Sequence, residues 1–189
     1  MNASAFPFLA VMFAVLMGIG VVRLITAFGE LIKRRTQIRP YWLHGAWLLL
    51  LLLLFFHVWW SFWDFRRATN WNYLTYLFLL AGPVAMFTAT TILIPDLGSE
   101  AAFDSRSYYF RVHRGFFVAM SVAVVWGMSI YPVMFGHVDP ILEWLLLFLA
   151  VMVTLAVTAN ATVHTVLTVV AWILFAMMVG SYGFVTEVG

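Results

Sequence analysis

Six apolar stretches divided by short polar breaks set the pattern of this chain. Mainly apolar residues run over Ala5–Phe28, Tyr41–Trp63, Trp71–Ile94, Val112–Phe135, Ile141–Thr158 and Val163–Phe184. Each approaches the roughly 20 residues with which a helix crosses a bilayer while satisfying its own backbone polar groups. The breaks are "ELIKRRTQIRP", "DFRRATN", "IPDLGSEAAFDSRS", "GHVDP" and "ANAT". The last is the weakest, yet without a turn near Asn160 the run from Ile141 to Phe184 would be about twice the length a bilayer holds. The pattern predicts an all-α integral membrane protein, with six transmembrane helices in one domain over residues 1–189.

Charge sets the expected orientation. Arg23, Lys33, Arg34, Arg35 and Arg39 surround the first break and Arg106, Arg111 and Arg114 the third, whereas the second holds only Arg66 and Arg67. Basic residues accumulate on the cytoplasmic side, so both termini are expected on the non-cytoplasmic side of a bacterial-type inner membrane. Lys33, Arg34, Arg35, Arg111 and Arg114 are placed to meet anionic lipid headgroups. Spans 1–3 and 4–6 would have opposite orientations, as in an inverted repeat. The echo between "HGAW" (His44–Trp47) and "HRGF" (His113–Phe116) falls at non-equivalent positions and does not support one.

Composition narrows the classes. The chain is 65% hydrophobic and 10% charged, with a mean hydropathy of +1.00, far from the roughly one-quarter charged of a soluble domain. A net charge of +2, from basic residues beside apolar spans, argues against nucleic acid as a partner. The chain contains no cysteine, which removes disulfides, thiolate metal sites, iron–sulfur clusters and thiol nucleophiles. The first stretch has no basic n-region and no small-residue cleavage site, and is expected to remain as a span. Lys33, the only lysine, sits in a loop, so a retinal Schiff base inside the bundle is excluded. "GSYG" (Gly180–Gly183) breaks the Gly-x-Ser-Gly order of intramembrane serine proteases, and no catalytic set is visible.

The candidate chemistry begins in "LLLLFFHVWWSFWDFRR" (Leu51–Arg67). At 100° per residue His57, Ser61 and Asp64 share one narrow helix face. His57 is expected to be the most deeply placed ionisable group, about 13 Å from the Arg66–Arg67 boundary. Such a stripe either gates or relays protons, or fixes packing through hydrogen bonds. Thr88 and Thr91 on span 3, with Thr158, Asn160, His164 and Thr168 around the last turn, are candidates for an inner vestibule. They equally suit bonds to their own helix carbonyls.

His44, His113 and His164 start spans 2, 4 and 6 at one depth, which permits a weak imidazole metal site; solvated interfacial histidines explain them as well. A bis-histidine haem would need residues from different spans, since His44 and His57 lie ~20 Å apart along one helix. His57 with His137 is the pairing that depth allows. Ala10, Ala14 and Gly18 form a small-residue contact stripe, within the bundle or between protomers of a homo-oligomer. Gly82-Pro83 should kink span 3 and free a carbonyl for a Ser, Thr or water. Arg23 is expected to snorkel or pair with Glu30, and Ser99 or Ser105 to cap an interfacial helix in the longest cytoplasmic segment.

The reading that follows is a small channel or transporter for an ion or small solute. No cofactor is required by it. A haem- or metal-binding redox protein and a non-catalytic assembly subunit are the alternatives.

Overall fold

The computed structural model describes residues 5–68, 71–96 and 103–181. Six helices lie side by side: α1 (Ala5–Lys33), α2 (Trp42–Ser61), α3 (Tyr73–Leu93), α4 (Ser105–Phe135), α5 (Leu142–Val157) and α6 (Ala161–Ser181). Five are long and apolar enough to cross a membrane, and α5 is a shorter apolar helix of 16 residues. At 1.5 Å per residue α5 is about 24 Å long, below the ~30 Å of bilayer hydrocarbon. It nevertheless runs from one end of the bundle to the other. Ile141 and Leu145 pack with Met178 near the end of α6, whereas its C-cap Thr158 meets His164 at the start of α6.

Several boundaries differ from those predicted. Helix α4 begins at Ser105, seven residues before the expected Val112. Asp104 caps it by accepting from the Arg106 N–H at 3.0 Å, a role expected of Ser105 or of Ser99, which lies outside the described residues. With 31 residues, α4 is longer than the ~30 Å of bilayer hydrocarbon, and Arg106, Arg111 and Arg114 near its start are exposed. It ends at Gly136, whose φ of +72° is a left-handed C-cap conformation that a side chain would strain. Helix α2 gives way to a 3-10 helix over Phe62–Arg67. Two two-residue strands, β1 (Ile38–Arg39) and β2 (Phe103–Asp104), pair in parallel with Ile38 opposite Phe103.

The helix directions gather the first, third and fifth connections at one end, here the basic end. At the opposite end Phe6 stacks on Phe62, with ring centroids 5.4 Å apart. Fully buried Leu43, Trp47, Leu48, Leu51, Phe116 and Phe117 fill the interior of the basic half. Outward-facing Val11, Val15, Ile19, Val22 and Ile25 leave the rim of α1 apolar, as expected where hydrocarbon rather than water surrounds the helix. The apolar helices are compatible with a multi-pass membrane protein.

Shape, rather than small-residue spacing, decides how α1 packs. Its buried face is Phe13, Met17, Gly20, Leu24 and Ala27, with the Phe55 ring occupying the space of a Gly20 side chain. Gly18 of the Ala10–Ala14–Gly18 stripe is exposed with nothing within 4 Å of a Cβ built there, whereas Ala10 packs against the core and Ala14 is half-buried. On α3 the Trp126 indole fills the notch at Gly82. Its Nε1–H donates to the Phe78 carbonyl at 2.7 Å, in the turn before Pro83. The carbonyl that Pro83 leaves without its helical donor is that of Leu79, one residue beyond the one this indole serves.

Candidate functional site

A cavity of about 110 Å³ opens in the half of the bundle away from the basic end. His57, Ser61 and Asp64 all line it, so the stripe predicted on one helix face does converge on one space. The register survives the change of helix type because residues three apart eclipse in a 3-10 helix, which keeps Asp64 beneath Ser61. The Ser61 hydroxyl donates to the His57 carbonyl at 3.0 Å, and the His57 imidazole sits edge-on to Phe175 of α6, 6.0 Å between centroids. Trp126, Phe13, Phe65, Phe135 and Phe148 supply much of the remaining wall.

Two polar lining residues escaped the sequence reading. Asp139, in the connection before α5, is 5% exposed; its Oδ1 accepts from the Ile141 N–H at 2.9 Å. No hydrogen bond to its Oδ2 occurs among the described residues, and the side chain lines the cavity. Burial pushes its carboxyl up from the ordinary value, against the opposing pull of the Ile141 N–H and of nearby His137. Tyr131 of α4 also lines the cavity, its hydroxyl 3.4 Å from Asp64 Oδ2. The "DP" of "GHVDP" was read as a break. An Asp two residues before an apolar run is also a capping signal that would have marked it.

Hydrogen bonds as well as packing tie the helices of the basic half together around His44 and His164, while clefts of about 540 and 690 Å³ open beside Arg23 and Asp96 at the same end. His44 donates Nε2–H to the Leu93 carbonyl at 2.9 Å, and its Nδ1 accepts from the Ser105 hydroxyl at 2.6 Å. His164 repeats the arrangement, with Nε2–H to the Thr158 carbonyl at 2.8 Å and Nδ1 accepting from the Tyr109 hydroxyl at 2.7 Å. A carbonyl only accepts, so the neutral tautomer is fixed by geometry in both. Each imidazole at a helix start therefore satisfies the open C-terminal carbonyl of a neighbouring helix and holds a hydroxyl at the start of α4. Trp47 Nε1–H donates to the Thr168 hydroxyl at 2.9 Å, which donates to the His164 carbonyl at 2.6 Å. His44 and His164, expected to be solvated, are 1% and 0% exposed, more buried than His57.

The other predicted residues are dispersed. Thr88 and Thr91 are exposed on α3 and bond back to the Val84 and Phe87 carbonyls, so they do not join Thr158, Asn160, His164 and Thr168. Asn160 caps α6 through the Thr162 and Val163 N–H groups. His113 and His164 rings lie 5.4 Å apart, but both nitrogens of His44 and of His164 are bonded to protein. Among the described residues no group of three His, Cys, Asp or Glu is placed to hold a metal. His137 packs on Tyr131 and Phe135 and does not line the cavity, whose volume is far below that of a haem. Arg23 lies over the Phe87 ring, and Glu30 pairs instead with Lys33 and Arg34.

No family model, curated protein or solved structure matches this chain. What the site does is therefore argued from its geometry.

Proposed function

We propose that the protein is a small multi-pass membrane transporter that binds a solute in the His57–Ser61–Asp64–Asp139 cavity, in a state closed towards the basic end. The observation that carries this reading is the convergence of polar side chains from α2, its 3-10 extension, α4 and the α4–α5 connection on one aromatic-walled space. Intramembrane polar groups around a cavity mark substrate paths. The hydrogen bonds of His44, His164 and Trp47 that join helices across the basic half favour a gated carrier over an open channel. By the excess of Lys and Arg, that closed half faces the cytoplasm and both termini face out. Lys33, Arg34, Arg35, Arg111 and Arg114 then meet anionic headgroups.

A benzene-binding cavity of ~150 Å³ holds six carbons, so by proportion this one takes about four to five non-hydrogen atoms. Proteoliposomes should show saturable uptake of at least one solute from a radiolabelled panel of amines, alcohols and amides of that size. Gly127→Leu should abolish it, because Gly127 lines the cavity and a side chain there meets nothing within 4 Å. Absence of saturable uptake across the panel, or uptake indifferent to Gly127→Leu, contradicts the proposal.

A further inference from the structure

The formally charged side chains that line the cavity are acidic. Two carboxylates from different segments, Asp64 and Asp139, line it, and no Lys or Arg does among the described residues. The described salt bridges all involve Glu30, and Arg66, next to Asp64, stacks over Trp63 with 4.5 Å from guanidinium carbon to ring centroid. Asp139 is 5% exposed, with one oxygen bonded to the Ile141 N–H, and it lines the space. Burying a carboxylate is costly; His137, which does not line the cavity, offsets only part of the effect of burial on Asp139, and a bound cation would offset more. Trp126, Phe135 and four other Phe or Tyr side chains are among the lining residues, and aromatic faces attract alkylammonium groups through their quadrupoles.

Resting on the solute-site reading above, we infer that the ligand is a small organic ammonium ion of about four to five non-hydrogen atoms, by the volume proportion used above. Asp64 and Asp139 hold its charge, with its alkyl groups against Trp126 and Phe135. An alcohol of the same shape fills the space but leaves the carboxylates unanswered, so charge and shape are separable.

The test is equilibrium dialysis of radiolabelled tert-butylammonium and of tert-butanol against the full chain in nanodiscs of zwitterionic lipid at neutral pH. Tert-butylammonium should bind saturably at one per chain and at least tenfold more tightly than tert-butanol. Asp64→Asn and Asp139→Asn should each weaken it at least tenfold, about 1.4 kcal/mol. Asparagine keeps the oxygens that Tyr131 and the Ile141 N–H use, so the fold contacts survive, and the comparison of the two probes needs no variant. Equal affinity for the two probes overturns the cation assignment while leaving a solute cavity. Binding unaffected by either asparagine variant also overturns it. Binding of neither probe overturns it too, and the panel uptake assay then decides the cavity reading by itself.

Discussion

Replacing Tyr109 by Phe and His164 by Leu, singly and together, measures how the basic half is held shut. Both side chains are fully buried. Tyr109→Phe keeps the ring that lies edge-on to Phe110, 5.1 Å between centroids, but deprives His164 Nδ1 of its donor. A buried polar atom left unpaired costs about 1–3 kcal/mol. His164→Leu strands two groups, the Tyr109 hydroxyl and the Thr158 carbonyl, and so should cost about twice as much. In the double variant the hydroxyl and the nitrogen that bonded each other are both gone, so the two losses should fall short of additive. Interhelical hydrogen bonds in membrane proteins couple by ~0.6 kcal/mol on average and up to ~1.7. A bond of 2.7 Å between fully buried partners belongs at the upper end, so we expect a coupling of about 1 kcal/mol. Steric trapping in bicelles gives the three unfolding free energies. Strictly additive losses, or a Tyr109→Phe variant as stable as the parent, would refute the geometry.

Three further outcomes follow from particular contacts. Gly82→Leu should destabilise by at least the ~1–3 kcal/mol of overpacking, because the new side chain overlaps the Trp126 indole and parts it from Phe78; an unchanged unfolding free energy would contradict this. Gly18→Leu should stay within about 0.5 kcal/mol of the parent, since nothing lies near the added Cβ; a larger loss would place Gly18 in an internal contact. Burial raises the folded-state pKa of Asp139 above its unfolded value. Its stabilising contribution is therefore complete below the ordinary carboxylate pKa and is lost as pH rises through the raised value. Asp139→Asn should flatten that decline in thermal unfolding scans, and an identical pH slope would show that Asp139 does not cause it.

The helices were legible because hydropathy over a bilayer length is a strong local signal, which also located the turn at Asn160. The early start of α4 was not, because Arg106 and Arg111 read as a loop when only apolar run length is counted. Those residues lie in the first turns of α4, with Tyr109 turned inward. The His57–Ser61–Asp64 face followed from periodicity alone. Asp139 and Tyr131 belong to the same cavity through tertiary contact, which one chain's spacing does not encode. Within the chain the close approach on α1 falls at Gly20, against the Phe55 ring, rather than at Gly18, because small residues permit close approach on any face.

Because the chain has no cysteine, introduced thiols report on the cavity without background. The most direct test is to place Ser61→Cys and Thr168→Cys in separate proteins in sealed proteoliposomes and add an impermeant cationic methanethiosulfonate reagent to each face. Ser61→Cys should react from the face opposite the basic end, and excess tert-butylammonium should slow it, while Thr168→Cys stays unmodified from both faces. A reactive Thr168→Cys, or a Ser61→Cys inert from both faces, would contradict a solute cavity closed towards the basic end.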